Sequence, residues 1–179
     1  MAINIAHSQY QSELAVPAYF LYGEEYSDAI FNFIHVEPLR TRNEFNSWKI
    51  NRHYHPDINQ ISLLLKGECQ FEHDGVFRYV NTPSCVITPA GLVHEFSYKP
   101  QSIGYVFSFT SDVLQAITSL DAVFSTVMAE YQTGQVVEFD NKEEIQKITK
   151  ISEALVLQMS CKNNCTNEIS KHLLSSLLL

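Results

Sequence analysis

The segment CQFEHDGVFRYV, residues 69–80, decides the fold class. It holds two runs of alternating character, Cys69–His73 and Val76–Val80, joined by Asp74-Gly75. Alternation with a period of two is typical of a half-buried strand. An Asp-Gly pair between two such runs predicts a two-residue hairpin, because both turn residues need a positive φ. The segment therefore predicts antiparallel β structure.

The residues on either side of this hairpin follow the same pattern as far as about residue 110. Short runs rich in β-branched and aromatic residues alternate with turn residues, and no helix separates them. This arrangement excludes a parallel α/β fold and predicts a mainly β protein, an antiparallel jelly-roll barrel followed by a small helical region. The further predicted strands are residues 18–22, 30–39, 49–55, 59–66, 85–88, 93–98 and 103–109.

The last third of the chain has helical periodicity. Ser111-Asp112 can cap a short helix, residues 121–131 predict another, and Asp140 followed by Glu143 is a capping signal for a third. The third helix carries an apolar stripe that either packs on its own domain or forms the seam of a homodimer. The stripe consists of Ile145, Ile148, Ile151, Leu155 and Met159.

The sequence ends in a helix rich in leucine, after a polar break at residues 163–167. Five of its last seven residues are leucines, with no cap and no polar tail. We expect the chain to continue past Leu179 into another module. The predicted organisation is an N-terminal arm (1–15), a barrel (16–110), dimerising helices (111–162) and a linker with the start of a C-terminal module (163–179).

Composition limits the function. Twelve Lys and Arg against 20 Asp and Glu give a net charge of −8, so this stretch is a poor nucleic-acid binder by itself. Four cysteines without framework spacing fit reduced thiols in a cytoplasmic protein. The N-terminus resembles no export signal, and no apolar run is long enough to span a membrane.

The chemistry is concentrated in three histidines. His53 and His55 are two residues apart on a predicted strand, so both imidazoles project to the same face. Gln60 begins the return strand after a Pro-Asp turn, and Pro89-Ala90-Gly91 leads into His94. We expect three imidazoles and one amide to converge inside the barrel.

These intervals resemble the two motifs of the cupin superfamily, HxH-x4-Glu-x6-Gly and PxG followed by His. Both motifs are matched, at residues 53–67 and 89–94. The sequence departs from the pattern at Gln60, which replaces a carboxylate, and at Ser47, Pro83 and Tyr98. An amide cancels no ion charge, so this substitution weakens the binding of a hard divalent cation.

The order of barrel and helices is similar to the N-terminal sensor and dimerisation domain of AraC-family transcriptional regulators. Residues 16–24, the Trp48-x4-His53-x-His55-x4-Gln60 run and Pro89-x-Gly91-x2-His94 resemble the subgroup that senses hydroxylated aromatic acids such as 4-hydroxybenzoate. The resemblance implies a small-molecule effector, a homodimer, and DNA contact only through a C-terminal domain absent from this chain.

The predicted ligand-binding residues are His53, His55, Gln60, His94, Tyr105 and Phe107. Tyr105, Phe107 and Phe109 share one face of a strand and are expected to line an apolar cavity. Three roles stay open for the histidines: hydrogen bonding to an effector, structural polar groups, or binding a divalent transition metal (Zn, Ni, Fe or Mn) with Gln60. The metal role would suit a metal-dependent cupin enzyme. An acidic effector also needs a cation or amide donors for its carboxylate, and the sequence does not decide among its arginines, Arg40, Arg42, Arg52 and Arg78.

Overall fold

The computed structural model describes residues 16–21, 31–73, 75–119, 134–161 and 166–178. The predicted N-terminal arm, Tyr22, Asp74, the helix at 121–131 and Leu179 lie outside these residues. The strands are β1 (Ile34–Pro38), β2 (Lys49–His53), β3 (Ile58–Lys66), β4 (Cys69–His73), β5 (Val76–Val80), β6 (Ser84–Thr88), β7 (His94–Tyr98), β8 (Ile103–Thr110) and β9 (Gln135–Glu138). The helices are α1 (Leu39–Phe45), α2 (Ser111–Thr118), α3 (Lys142–Met159) and α4 (Thr166–Leu178).

The strands form two sheets. One has the order β1-β8-β3-β6-β9 and the other β2-β7-β4-β5, and every paired neighbour is antiparallel. The predicted hairpin is present, with His73 opposite Val76 and Gly75 at φ +78°. The prediction of a mainly antiparallel β fold followed by helices is confirmed. Among the described residues, however, the strands pair as two sheets and not as one closed ring.

The two sheets stack because each has one apolar inner face. Leu64, Val86 and Val106 of the five-stranded sheet are buried in one cluster with Phe71 and Phe96 of the four-stranded sheet. Side chains alternate across each strand, so these residues share a face with every second neighbour. The interior between the sheets is therefore apolar around these residues, and Phe96 and Val106 also border the candidate site.

The outer face of the five-stranded sheet is covered by helices. Ile61, Leu63 and Phe107 on that face are buried with Leu155 of α3 and Leu174 of α4. Four members of the predicted apolar stripe, Ile148, Ile151, Leu155 and Met159, belong to this cluster. The stripe thus packs on its own domain, which leaves little of it for the alternative homodimer seam.

Three local features differ from the sequence-based expectations. Helix α1 and strand β9 were not predicted, and α3 is capped by the Asn141 side chain, which accepts a hydrogen bond from the Glu143 N–H, where Asp140 was expected. The C-terminal leucines are also covered. Leu174 and Leu178 are buried in the helix-covered core, and Leu173 and Leu177 pack against it. None of the described helices is both long and apolar enough to span a membrane.

Candidate functional site

Strand pairing brings the three predicted histidines together. His53 ends β2 and His94 begins β7, and the two are directly opposite in the register, which shifts between Ile50 and His53. The ring centroid of His53 lies 4.3 Å from that of His94 and 4.8 Å from that of His55. All three side chains are buried. Their candidate ligand nitrogens lie within 4.8 Å of one another.

Backbone carbonyl groups fix the tautomer of each ring. The Nδ1 atoms of His53, His55 and His94 contact the carbonyl oxygens of Asn51, Tyr19 and Leu92, at 2.8, 2.9 and 2.8 Å. A carbonyl oxygen only accepts, so each Nδ1 carries the proton and donates it. In a neutral ring Nε2 is then a lone-pair donor. The lone pair of each of the three rings is therefore on Nε2.

One contact in the cluster joins two nitrogens of the same kind. The Nε2 atoms of His53 and His55 are 3.2 Å apart. With both Nδ1 atoms protonated, two neutral imidazoles have no hydrogen left for this contact, and two lone pairs would face each other. An additional proton or a metal ion between the rings removes the repulsion. The pair can therefore accept one proton or share one metal ion.

A cavity of about 170 Å³ opens beside the cluster, between the two sheets. Its polar lining includes His53, His55, His94, Gln60 and Ser62, and its apolar lining includes Ile50, Phe96 and Val106. The exposed residues Asn46, Lys49 and Asn51 mark its mouth, and Tyr19 and Tyr98 complete the wall. The lining thus combines polar and apolar side chains, as a site for an amphipathic small molecule requires.

Gln60 lies where the sequence placed it, in the wall of the cavity, and is 3% exposed. Its Nε2 donates to the Ser108 hydroxyl at 3.1 Å. Gln60 and Ser108 are opposite residues on β3 and β8, so the sheet register holds the amide in place. The amide supplies polar atoms to the site without a charge.

The structure places Tyr105 and Phe107 away from the cavity, and their predicted lining role is corrected. Both lie on the helix-covered face of β8, with Phe107 buried in that core and Tyr105 packed against it. Burial raises the pKa of Tyr105, and the nearby Glu153 carboxylate adds to this effect. The residue between them, Val106, is the one that lines the cavity. The strand was correctly predicted, but the face assigned to the interior was the wrong one.

The cation expected for an acidic effector is not one of the described guanidinium groups. Arg52 and Arg78 are exposed, and Arg40 pairs with Glu44 on α1. Lys49 borders the cavity, but its Nζ lies 3.3 Å from the Glu95 carboxylate. The described basic side chains that line the cavity are therefore the three histidines and Lys49.

Sequence reasoning missed several residues of the site. Next to the site, His73 is opposite His94 in the register between β4 and β7 and is buried. Phe96 and Tyr98 alternate with His94 on its face, so a period-two count from His94 would have found them. Tyr19 has no such signal, because it reaches the site through a bridge between Ala18 and Tyr54.

Comparisons with known proteins identify partial likenesses. No protein-family model matches the sequence, and no curated protein matches it. Apo ToxT from Vibrio cholerae is 11% identical over 80% of this chain and 52% of that one, with a TM-score of 0.48. ToxT bound to (E)-4-(8-methylnaphthalen-1-yl)but-3-enoic acid is 10% identical over 80% and 54%, with a TM-score of 0.46.

A cupin-2 domain containing protein from Shewanella frigidimarina is 11% identical over 59% of this chain and 93% of that one, with a TM-score of 0.34. The chain spans about half the length of the ToxT structures that it matches. At these TM-scores the strand order described above, and not the likeness, defines the fold.

Proposed function

We propose that this chain is the effector-sensing domain of an AraC-type transcriptional regulator that acts in the cytoplasm. In this proposal it binds a small aromatic or similarly apolar organic acid between its sheets. The observation that carries the proposal is the mixed lining of the cavity, which combines the histidine pair, able to accept a proton, with the apolar side chains of Phe96, Ile50 and Val106. A carboxylate would meet the histidines and an apolar ring would pack against the second group.

The volume of the cavity limits the size of the effector. A buried apolar cavity of about 150 Å³ is known to hold one benzene molecule. The cavity here, about 170 Å³, is of the same order. It therefore favours an acid with a single ring over one with fused rings or a long chain.

A thermal-shift panel tests the binding proposal. We expect single-ring aromatic acids to raise the melting temperature and fused-ring acids to raise it less, since a ligand at 100 times its Kd adds about 2.7 kcal/mol. Val106→Phe fills the apolar side and should abolish the shift. Ile103→Phe, at an exposed position on the same strand, should preserve it. If no acid in the panel shifts either the parent or the control, the proposal fails.

The proposal includes a homodimer and a DNA-binding module encoded beyond this stretch. An effector controls such a protein only if it prefers one arrangement of the dimer over the other. Equilibrium sedimentation of the chain measures the dimer directly. The coding sequence after Leu179 tests for the second module, which should contain two helix-turn-helix patterns.

A second candidate function is metal binding at the same cluster. The 3.2 Å separation of the two Nε2 atoms is close to the roughly 3.3 Å expected for two imidazole nitrogens on a tetrahedral Zn²⁺ ion. His53, His55 and His94 would hold the ion, with Gln60 as a neutral fourth donor. Three imidazoles fit Zn²⁺, Ni²⁺ or Fe²⁺ better than Mn²⁺, since Mn²⁺ prefers oxygen ligands. Nothing in the arrangement of the described residues specifies a reaction, so we favour binding over catalysis.

Titration with Co²⁺, followed by its visible absorption, tests the metal. We expect one ion per chain, lost in His55→Ala and unchanged in His172→Ala, an exposed histidine on α4. If the parent protein takes up neither Co²⁺ nor Zn²⁺, the metal-binding function is excluded.

A further inference from the structure

The predicted helix stripe packs on its own domain, with Leu155 buried and the other four residues half-buried, so we expect the homodimer of the proposed function to use another surface. A different surface has the necessary character. Three large apolar side chains of the five-residue strand β5 are exposed: Val76 by 50%, Phe77 by 61% and Tyr79 by 83%. Phe77 and Tyr79 alternate onto one face of β5 and Val76 onto the other. Scattered single apolar residues on a surface are ordinary, but an exposed aromatic pair on one face is typical of an interaction site.

The backbone of β5 is also available for pairing. It is the outermost strand of the four-stranded sheet as described, and its ladder with β4 runs from Val76 to Val80 without a bulge. In a two-residue hairpin the closing pair, here His73 and Val76, exchanges both hydrogen bonds. Val76, Arg78 and Val80 therefore direct their backbone groups toward β4. Phe77 and Tyr79 direct theirs toward the outer edge, where another strand can add.

The sequence of β5 is self-complementary. Val76-Phe77-Arg78-Tyr79-Val80 presents the same classes of side chain when read from either end. We propose, resting on the homodimer of the proposed function, that β5 pairs with β5 of a second copy, antiparallel about a two-fold axis at Arg78. Phe77 of each copy then lies opposite Tyr79 of the other, and the two residues exchange backbone hydrogen bonds. A two-fold interface requires such self-complementarity, and cross-strand aromatic pairs are stabilising.

The axis residue limits the strength of this pairing. Arg78 lies opposite Arg78 of the second copy, and like charges directly opposite in a ladder repel each other. Both side chains are on the face of β5 opposite to Phe77 and Tyr79, where Arg78 is exposed. Salt screens this repulsion. The β5 dimer therefore tightens as the salt concentration rises, whereas a dimer held by opposite charges would loosen.

Sedimentation of the 179-residue chain at about 50 mM and about 500 mM NaCl tests the interface. We expect the parent to dimerise more tightly at high salt. Tyr79→Lys should weaken the dimer by about tenfold or more, and Arg78→Gln should strengthen it and remove the salt dependence. Leu157→Lys alters the exposed apolar residue of α3 and should change nothing. Unchanged circular dichroism shows that each variant is folded.

Disulfide trapping tests the register. In a background of Cys161→Ser and Cys165→Ser, Arg78→Cys should form a covalent dimer under mild oxidation, because residues on the axis have Cα atoms within disulfide range. Phe77→Cys should not, because Phe77 does not lie opposite Phe77 of the second copy.

If the chain dimerises but Tyr79→Lys has no effect and Leu157→Lys dissociates it, the β5 interface is wrong and the homodimer stands. If the chain is monomeric at every concentration, both the β5 interface and the homodimer are wrong. The thermal-shift panel tests effector binding independently of the dimer.

Discussion

Gln60 is the residue whose replacement tests the metal chemistry of the site. It adds a neutral amide to three imidazoles, and Ser108 holds it in position. Gln60→Glu places a carboxylate beside the cluster, which cancels part of the charge of a divalent ion. We expect Zn²⁺ affinity to rise by about tenfold or more, measured by isothermal titration calorimetry. Gln70→Glu, on β4, is the control and should leave affinity unchanged; equal gains in both variants would contradict the role of Gln60.

The buried thiols provide a second test at this scale. Burial raises the pKa of Cys69 and of Cys85 to about 12, although a backbone hydrogen bond to each lowers it slightly. At pH 8 only about one thiol in ten thousand is then ionised, and the thiolate is the reactive form. We expect iodoacetamide to modify the exposed Cys161 and to leave Cys69 and Cys85 intact, as read by peptide mass spectrometry. In denaturant all should react, and rapid modification of Cys85 in the folded protein would show that β6 opens.

The sequence predicted individual site residues where spacing alone determines direction. The i, i+2 spacing of His53 and His55 places them on one face, and the turn before His94 returns that residue to the same space. Phe107 could not be placed in this way, because alternation separates two faces without showing which one the helices cover. His73 required the register between β4 and β7, which no local pattern contains.

At the scale of elements, the packing of α3 makes a direct prediction. Leu155 of α3 is fully buried against the outer face of the five-stranded sheet, whereas Leu157 on the same helix is 69% exposed. Leu155→Ala should lower the free energy of unfolding by about 2–5 kcal/mol, because it leaves a cavity. Leu157→Ala should change it by less than about 0.5 kcal/mol. Urea denaturation measures both, and similar losses in the two variants would contradict the helix orientation.

The elements that the sequence predicted well are those with a strong local signal. Strands β3 to β8 were all anticipated, since each has alternating or continuous apolar residues between turn residues. Helix α1 was missed because Leu39–Phe45 has only Leu39 and Phe45 as apolar residues, and its place beside β1 and β8 depends on tertiary packing. Strand β9 was missed because its four residues gain their structure by pairing with β6.

For the whole molecule, net charge determines what the chain can bind unaided. At −8 it repels the phosphate backbone, and duplex DNA binding depends mainly on neutralising phosphates with Lys and Arg. We expect no saturable binding to duplex DNA at about 100 mM salt or at about 20 mM salt, by fluorescence anisotropy. Tight binding that weakens as salt is added would contradict this expectation and would indicate a local basic surface.

Strands β3 and β8 separate the cavity from the helix-covered core. On one side Gln60, Ser62 and Val106 border the cavity, and on the other Ile61, Leu63 and Phe107 lie beneath α3 and α4. Adjacent residues of the same strand thus belong to opposite compartments. If a molecule in the cavity displaces either strand, the side chains on which α3 and α4 pack must move as well. Ligand binding can therefore be coupled to the helices across the thickness of a single sheet.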